Sequence, residues 1–92
     1  MNKMGKPILL DFSATWCGPC KMQKPIIDDL KEKYGDQVDI KEVDVDENGE
    51  MARNYNVMAV PTIVIEKDGE EVKRFTGLKQ ADVLSAELDK LL

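Results

Sequence analysis

The sequence predicts an α/β fold in the order β-α-β-α-β-β-α, with one four-stranded mixed sheet and helices on both of its faces. Three observations carry that prediction. Two short runs, Pro7-Ile8-Leu9-Leu10-Asp11-Phe12 and Pro61-Thr62-Ile63-Val64-Ile65, are too short for helices and largely apolar on both faces, as buried central strands are. Between them, Lys21 to Tyr34 switches to a helical period. Asp68-Gly69 is a strong hairpin turn signal, which gives the second run an antiparallel partner.

Each element has a local reason. Pro7 to Phe12 reads as the first strand, and the helix over Lys21 to Tyr34 follows it, with Met22, Ile26, Leu30 and Tyr34 recurring on one side. Gly35 ends that helix and Pro25, inside it, predicts a kink. Val38 to Val45 mixes β-branched residues with charges, the pattern of a strand at a sheet edge. Asn48 caps a short helix over Gly49 to Tyr55. The run from Pro61 carries its proline at the first position, where a strand tolerates it, and Glu71 to Phe75 forms the other half of the hairpin. Gly77 marks a break before a last amphipathic helix built on Leu84, Leu88 and Leu91. A right-handed crossover joins the first two strands in parallel, and the hairpin adds to the other side of the first strand. That strand is then central, and the loop after it lies where α/β sheets place their sites.

Ninety-two residues fit a single domain, 1–92, and 42% hydrophobic content with 34% charge is ordinary for a globular chain. A net charge of −5 with scattered basic residues argues against a nucleic-acid surface. No apolar run approaches a membrane span. The N-terminal MNKMGKPILLDF has no apolar signal core, so a cytoplasmic location is the expectation. The acidic stretch Glu42 to Glu50 reads as a solvated edge. It matches a calcium loop only in part, because Tyr55 stands where the closing glutamate belongs. Met22, Tyr34, Met51, Tyr55 and Met58 read as packing residues.

The loop after the first strand holds Trp16-Cys17-Gly18-Pro19-Cys20, with the only tryptophan and the only two cysteines of the chain. A stabilising staple is a poor reading, because so short a loop removes little chain entropy. A structural zinc needs four Cys or His ligands; this chain has two Cys and no His, so only a site shared between two chains would serve. The redox reading fits every neighbour. Cys17 stands at the start of a helix, where unpaired N–H groups and the macrodipole favour a thiolate. A free thiol near pKa ~8.5 is only about 3% ionised at pH ~7, so lowering the pKa activates it. The loop at a helix start should expose the cysteines; Gly18 lets a substrate come close, and Pro19 stiffens the first turn where its missing N–H costs little. Asp11 is a carboxyl inside an apolar strand, where desolvation raises its pKa.

The block Leu10-Asp11-Phe12-Ser13-Ala14-Thr15-Trp16-Cys17-Gly18-Pro19-Cys20-Lys21-Met22, with Pro25, Val60-Pro61-Thr62 and Gly77 downstream, closely resembles the thioredoxin family. The resemblance implies a protein disulfide oxidoreductase of the thioredoxin fold. In it Cys17 is the attacking nucleophile, Cys20 the resolving thiol, and Asp11 the buried acid that takes the Cys20 proton. It further implies that Pro61 is cis and faces the sulfurs, and that the Val60 backbone pairs with an extended substrate segment. Trp16, Gly18, Pro19, Val60 and Gly77 then outline a shallow apolar groove. Implied partners are disulfide-containing substrate proteins and a reductase, either an NADPH-using flavoprotein or a ferredoxin-linked enzyme. No bound cofactor or metal is implied, and the expected state is a monomer.

Two departures from the family pattern stand out. The family usually opens with a further strand and helix, and only six residues precede Pro7, so a short form lacking most of both is expected. Glu42 stands where many bacterial members carry a lysine beside the buried acid. A second carboxyl there cannot pair with Asp11 and raises its pKa further unless it turns to solvent. Outside the redox-carrier reading stand a glutathione-linked relative and a non-catalytic binding module that uses the cysteines as a gate. The Gly-Pro pair between the cysteines argues against the first, and metal analysis separates the second.

Overall fold

The computed structural model describes residues 5–92. The reading of the N-terminus as lacking a signal core rests in part on residues 1–4, which lie outside the described residues. The elements are β1 (Ile8–Ser13), α1 (Gly18–Tyr34), a 3-10 turn (Gly35–Gln37), β2 (Asp39–Asp44), α2 (Gly49–Asn54), β3 (Thr62–Lys67), β4 (Glu70–Thr76) and α3 (Ala81–Asp89). The sheet order is β2-β1-β3-β4, so β1 is central and β2 lies at an edge. β1 pairs with β2 in parallel, and β3 pairs antiparallel with both β1 and β4. The order β-α-β-α-β-β-α and the mixed four-stranded sheet are those the sequence predicts.

Alternation along β1 builds two cores. Leu9 points toward α1 and α3, where it joins Ile27, Leu30, Tyr34, Leu84 and Leu88. Leu10 and Phe12 point the other way and, with Val43 and Val64, pack against Met51 and Tyr55 at α2. Asp11 shares the side of Leu9, because side chains two apart on a strand project to the same face. It therefore lies under α1, the helix that carries the cysteines.

The helical face differs from the one predicted. α1 begins at Gly18 and buries Cys20, Gln23, Ile27, Leu30 and Tyr34, whereas Met22 is 62% exposed. A strict four-residue repeat advances about 400° per step and drifts about 40° around the helix each time, so Met22 falls about 80° beyond Leu30 and off the stripe centred on Cys20, Ile27 and Tyr34. Cys20, anchored by the preceding loop, sets the phase instead. The helix runs on through Pro25 and ends at Gly35, whose φ of 55° and N–H to Lys31 O close it.

Smaller differences follow from local bonding. Asn48 occupies the cap position of α2 but its side chain makes no capping bond. The turn is held instead by the Asp44 carboxylate, which accepts from the N–H groups of Asp46 (2.8 Å) and Glu47 (3.2 Å). β3 begins one residue after Pro61, and the β3–β4 ladder shifts register after Ile65, leaving Val72 as an extra residue on β4. Leu91 lies beyond α3, half-buried against the same core as Leu84 and Leu88.

Candidate functional site

The site forms where the β1–α1 loop meets the segment entering β3. Cys17 N–H donates to Ala14 O (3.2 Å), which turns the chain into α1. Cys17 is the N-cap residue of that helix, and its Sγ accepts the Cys20 N–H at 3.2 Å. A sulfur at this position sees the free N–H groups and the positive end of the helix dipole, so negative charge on it is favoured. Cys17 and Cys20 are joined as a disulfide.

The cysteines are less exposed than a loop position suggests. Cys17 is 5% and Cys20 6% accessible, because Ala14, Val45 and Val60 pack around them. The Val60-Pro61 peptide is cis, as the family resemblance implies, and Val60 O lies 3.7 Å from Cys17 Sγ. Gly77, at φ 93°, donates its N–H to Pro61 O (2.8 Å) and so closes the rim behind the proline. Gly18 and Pro19 lie exposed on the first turn of α1.

Beside the disulfide is a shallow hollow of about 170 Å³ lined by Trp16, Val45, Val57, Met58, Ala59 and Val60. Trp16 and Val60 meet there, while Gly18, Pro19 and Gly77 stand outside it. Trp16 is 69% exposed, and its Nε1 donates to the Asp46 carboxylate at 2.9 Å, which fixes the indole at the rim. Met58 is 93% exposed, so it is a rim residue and not the packing residue that the sequence suggests. Its position just ahead of Val60-Pro61 was the available signal. Asp46 had none, since its partner is 30 positions away.

On the inner side of the disulfide a second cleft, of about 280 Å³, is bordered by Asp11, Ala14, Cys20, Lys24 and Glu42. Asp11 is 3% exposed and its Oδ1 has no hydrogen-bond partner. Burial, with a smaller contribution from Glu42, pushes its carboxyl up to about 6, against the opposing pull of Lys24 and Lys31. Glu42 pairs with Asp11 in the β1–β2 register. It does turn to the surface, where Lys24 (3.3 Å) and Lys31 (3.5 Å) bridge it. The expected repulsion is therefore present and is opposed by two ammonium groups.

A redox-active cysteine pair capping a helix, with a buried acid on one side and an apolar hollow on the other, defines a thiol–disulfide exchange protein. The thioredoxin family model matches residues 1–90. The thioredoxin of Bacillus subtilis (strain 168) is 45% identical over 85 residues, covering 92% of this chain and 82% of the relative. That of Staphylococcus epidermidis is 46% identical over 84 residues, covering 91% and 81%. Among solved structures, Fasciola hepatica thioredoxin superposes with a TM-score of 0.86 at 41% identity, covering 94% of this chain and 81% of that one. The chain belongs to the thioredoxin family, and it is a thioredoxin-type disulfide oxidoreductase whose redox pair is Cys17–Cys20.

Proposed function

We propose that the chain reduces protein disulfides by a two-step exchange in which Cys17 attacks and Cys20 resolves. The Cys17 thiolate attacks one sulfur of the substrate disulfide, forms a mixed disulfide, and expels the other sulfur as a thiolate. Cys20 then gives its proton to Asp11, attacks Cys17 Sγ, and releases the second substrate thiolate. Two electrons pass from the dithiol to the substrate, and Cys17–Cys20 becomes a disulfide. The Cys20 N–H held by Cys17 Sγ is the observation that carries this assignment, because it stabilises charge on Cys17 and not on Cys20. A buried Asp11 whose carboxyl titrates near 6 is a suitable acceptor at neutral pH, since it is mostly ionised yet basic enough to take a proton.

Substrate docks on the rim. Trp16 and Val60 supply apolar contact, and Gly18 and Pro19 leave the approach to Cys17 open. The Val60 backbone beside Pro61, backed by Gly77, offers an extended chain a short strand to pair with. Disulfide-containing proteins are the substrates, and a flavoprotein or ferredoxin-linked thioredoxin reductase restores the dithiol. The protein works as a monomer in the cytoplasm. Exchange with a disulfide-bonded protein tests the assignment: Cys20→Ser accumulates a mixed disulfide through Cys17, and Cys17→Ser forms none and has no turnover. Turnover by Cys17→Ser would reverse the roles.

A further inference from the structure

Gln23 is a polar side chain sealed in an otherwise apolar helix face, 0% exposed, one turn after Cys20. Both polar atoms of its amide pair with a single residue on a distant loop. Nε2–H donates to Lys79 O at 2.9 Å, and Lys79 N–H donates to Oε1 at 2.9 Å. A primary amide has the donor and acceptor of a peptide group, so the pair imitates one rung of a β-ladder.

That rung stands where the real ladder has stopped. The β3–β4 pairing ends at Thr62 and Thr76, and α3 begins only at Ala81. The intervening segment is held at one end by Gly77 N–H on Pro61 O (2.8 Å) and at the other by Gln23. The anchors tie the segment to the surroundings of the redox site: Pro61 follows Val60, whose carbonyl faces Cys17, and Gln23 lies one turn after Cys20 on the same helix, outside both clefts. An apolar residue at position 23 would leave the Lys79 N–H and C=O to find other partners.

We propose that Gln23 is a positioning residue for substrate recognition, clamping the Gly77–Lys79 segment to the cysteine-bearing helix so that the Val60–Pro61 rim keeps its place beside Cys17. The proposal rests on the reading of that rim as the docking edge. It assigns Gln23 no contact with the reacting sulfurs.

The test is Gln23→Met in the full chain, assayed on insulin with dithiothreitol as reductant and, after reduction and removal of the dithiothreitol, in a single turnover on a small aromatic disulfide, dithionitrobenzoate. The clamp predicts that KM for insulin rises about fivefold while kcat and the rate with the small disulfide stay within about twofold. Amide exchange at Lys79 and Gly77 quickens about tenfold. Unchanged exchange shows that no clamp exists, and faster exchange with an unchanged insulin KM reduces Gln23 to a structural role; either result overturns the proposal. Val60→Asp in the same assay separates the two readings. If neither variant moves KM, the docking rim is wrong; if only Gln23→Met is silent, the clamp is wrong. Should Gln23→Met fail to fold, Gln23→Glu keeps the size and the acceptor for Lys79 N–H but loses the donor when ionised. Its insulin KM should still rise, and a wild-type KM overturns the proposal.

Discussion

Asp11 and Glu42 are direct partners across the parallel β1–β2 pair, one carboxyl buried and without a partner at Oδ1, the other drawn to the surface by Lys24 and Lys31. Two acids in adjacent register positions ordinarily repel at a cost to the fold. Here the edge position of β2 lets Glu42 reach two lysines on α1, and that pairing leaves burial as the larger reason that Asp11 is a weak acid. The electrostatics behind the redox pair thus depend on four side chains from three elements.

Asp11 should make the protein less stable as pH rises. Its folded carboxyl titrates at about 6 against an ordinary value of 3.8, so between those values the folded state holds a proton the unfolded chain has lost. Stability contributed by this group is greatest below about pH 4 and declines until about pH 6, a change of about 2–3 kcal/mol. Asp11→Asn removes the decline. Urea unfolding of the oxidised protein at pH 8 should find the variant more stable by about 2 kcal/mol, with the gap closing near pH 4. The same variant should slow release of the mixed disulfide.

Glu42→Gln should lower the Asp11 pKa. The substitution removes a nearby negative charge and frees Lys24 and Lys31 to act on Asp11, both in the same direction. The carboxyl carbon resonance of Asp11 in the oxidised protein reports this directly. A midpoint unchanged from wild type would mean that the two acids do not communicate.

Trp16 should report the redox state. It is the only tryptophan, adjoins Cys17, and is held at the rim by Asp46. Equilibration in graded dithiol–disulfide buffers should give a reversible fluorescence transition with a two-electron slope, about 30 mV per tenfold change in ratio. The midpoint should be more reducing than the glutathione couple. A much more oxidising midpoint would indicate a role in forming disulfides.

Tyr55→Phe should cost about 1 kcal/mol in urea unfolding, the worth of one side-chain hydrogen bond. The hydroxyl donates to Glu66 at 2.7 Å, and that bond also holds its own pKa up to about 12. The ring contact with Phe12, at 5.5 Å between centroids, survives the change, as does the bond from Arg74 to the Tyr55 carbonyl (2.7 Å). A larger loss would show that the hydroxyl holds more than Glu66.

Legible in the sequence were features carried by near neighbours, namely the two buried strands, the Asp68-Gly69 turn, the Gly35 helix stop, the paired cysteines at a helix start, and Asp11 as an acid in an apolar strand. The turn before α2 is the local exception, since Asp44 and not Asn48 makes its bonds. Turn chemistry, strand alternation and helix capping act over a few residues, so short stretches of sequence encode them. Tertiary structure decided the rest. The phase of α1, which exposes Met22 and buries Gln23, depends on how the Cys20 turn seats against the sheet. The burial of the cysteines depends on Val45 and Val60 arriving from other elements, and Asp46 and Lys79 find Trp16 and Gln23 only once the chain has closed. Such contacts join positions far apart in the chain, and no local period records them, because their energy exists only when the sheet has brought both partners together.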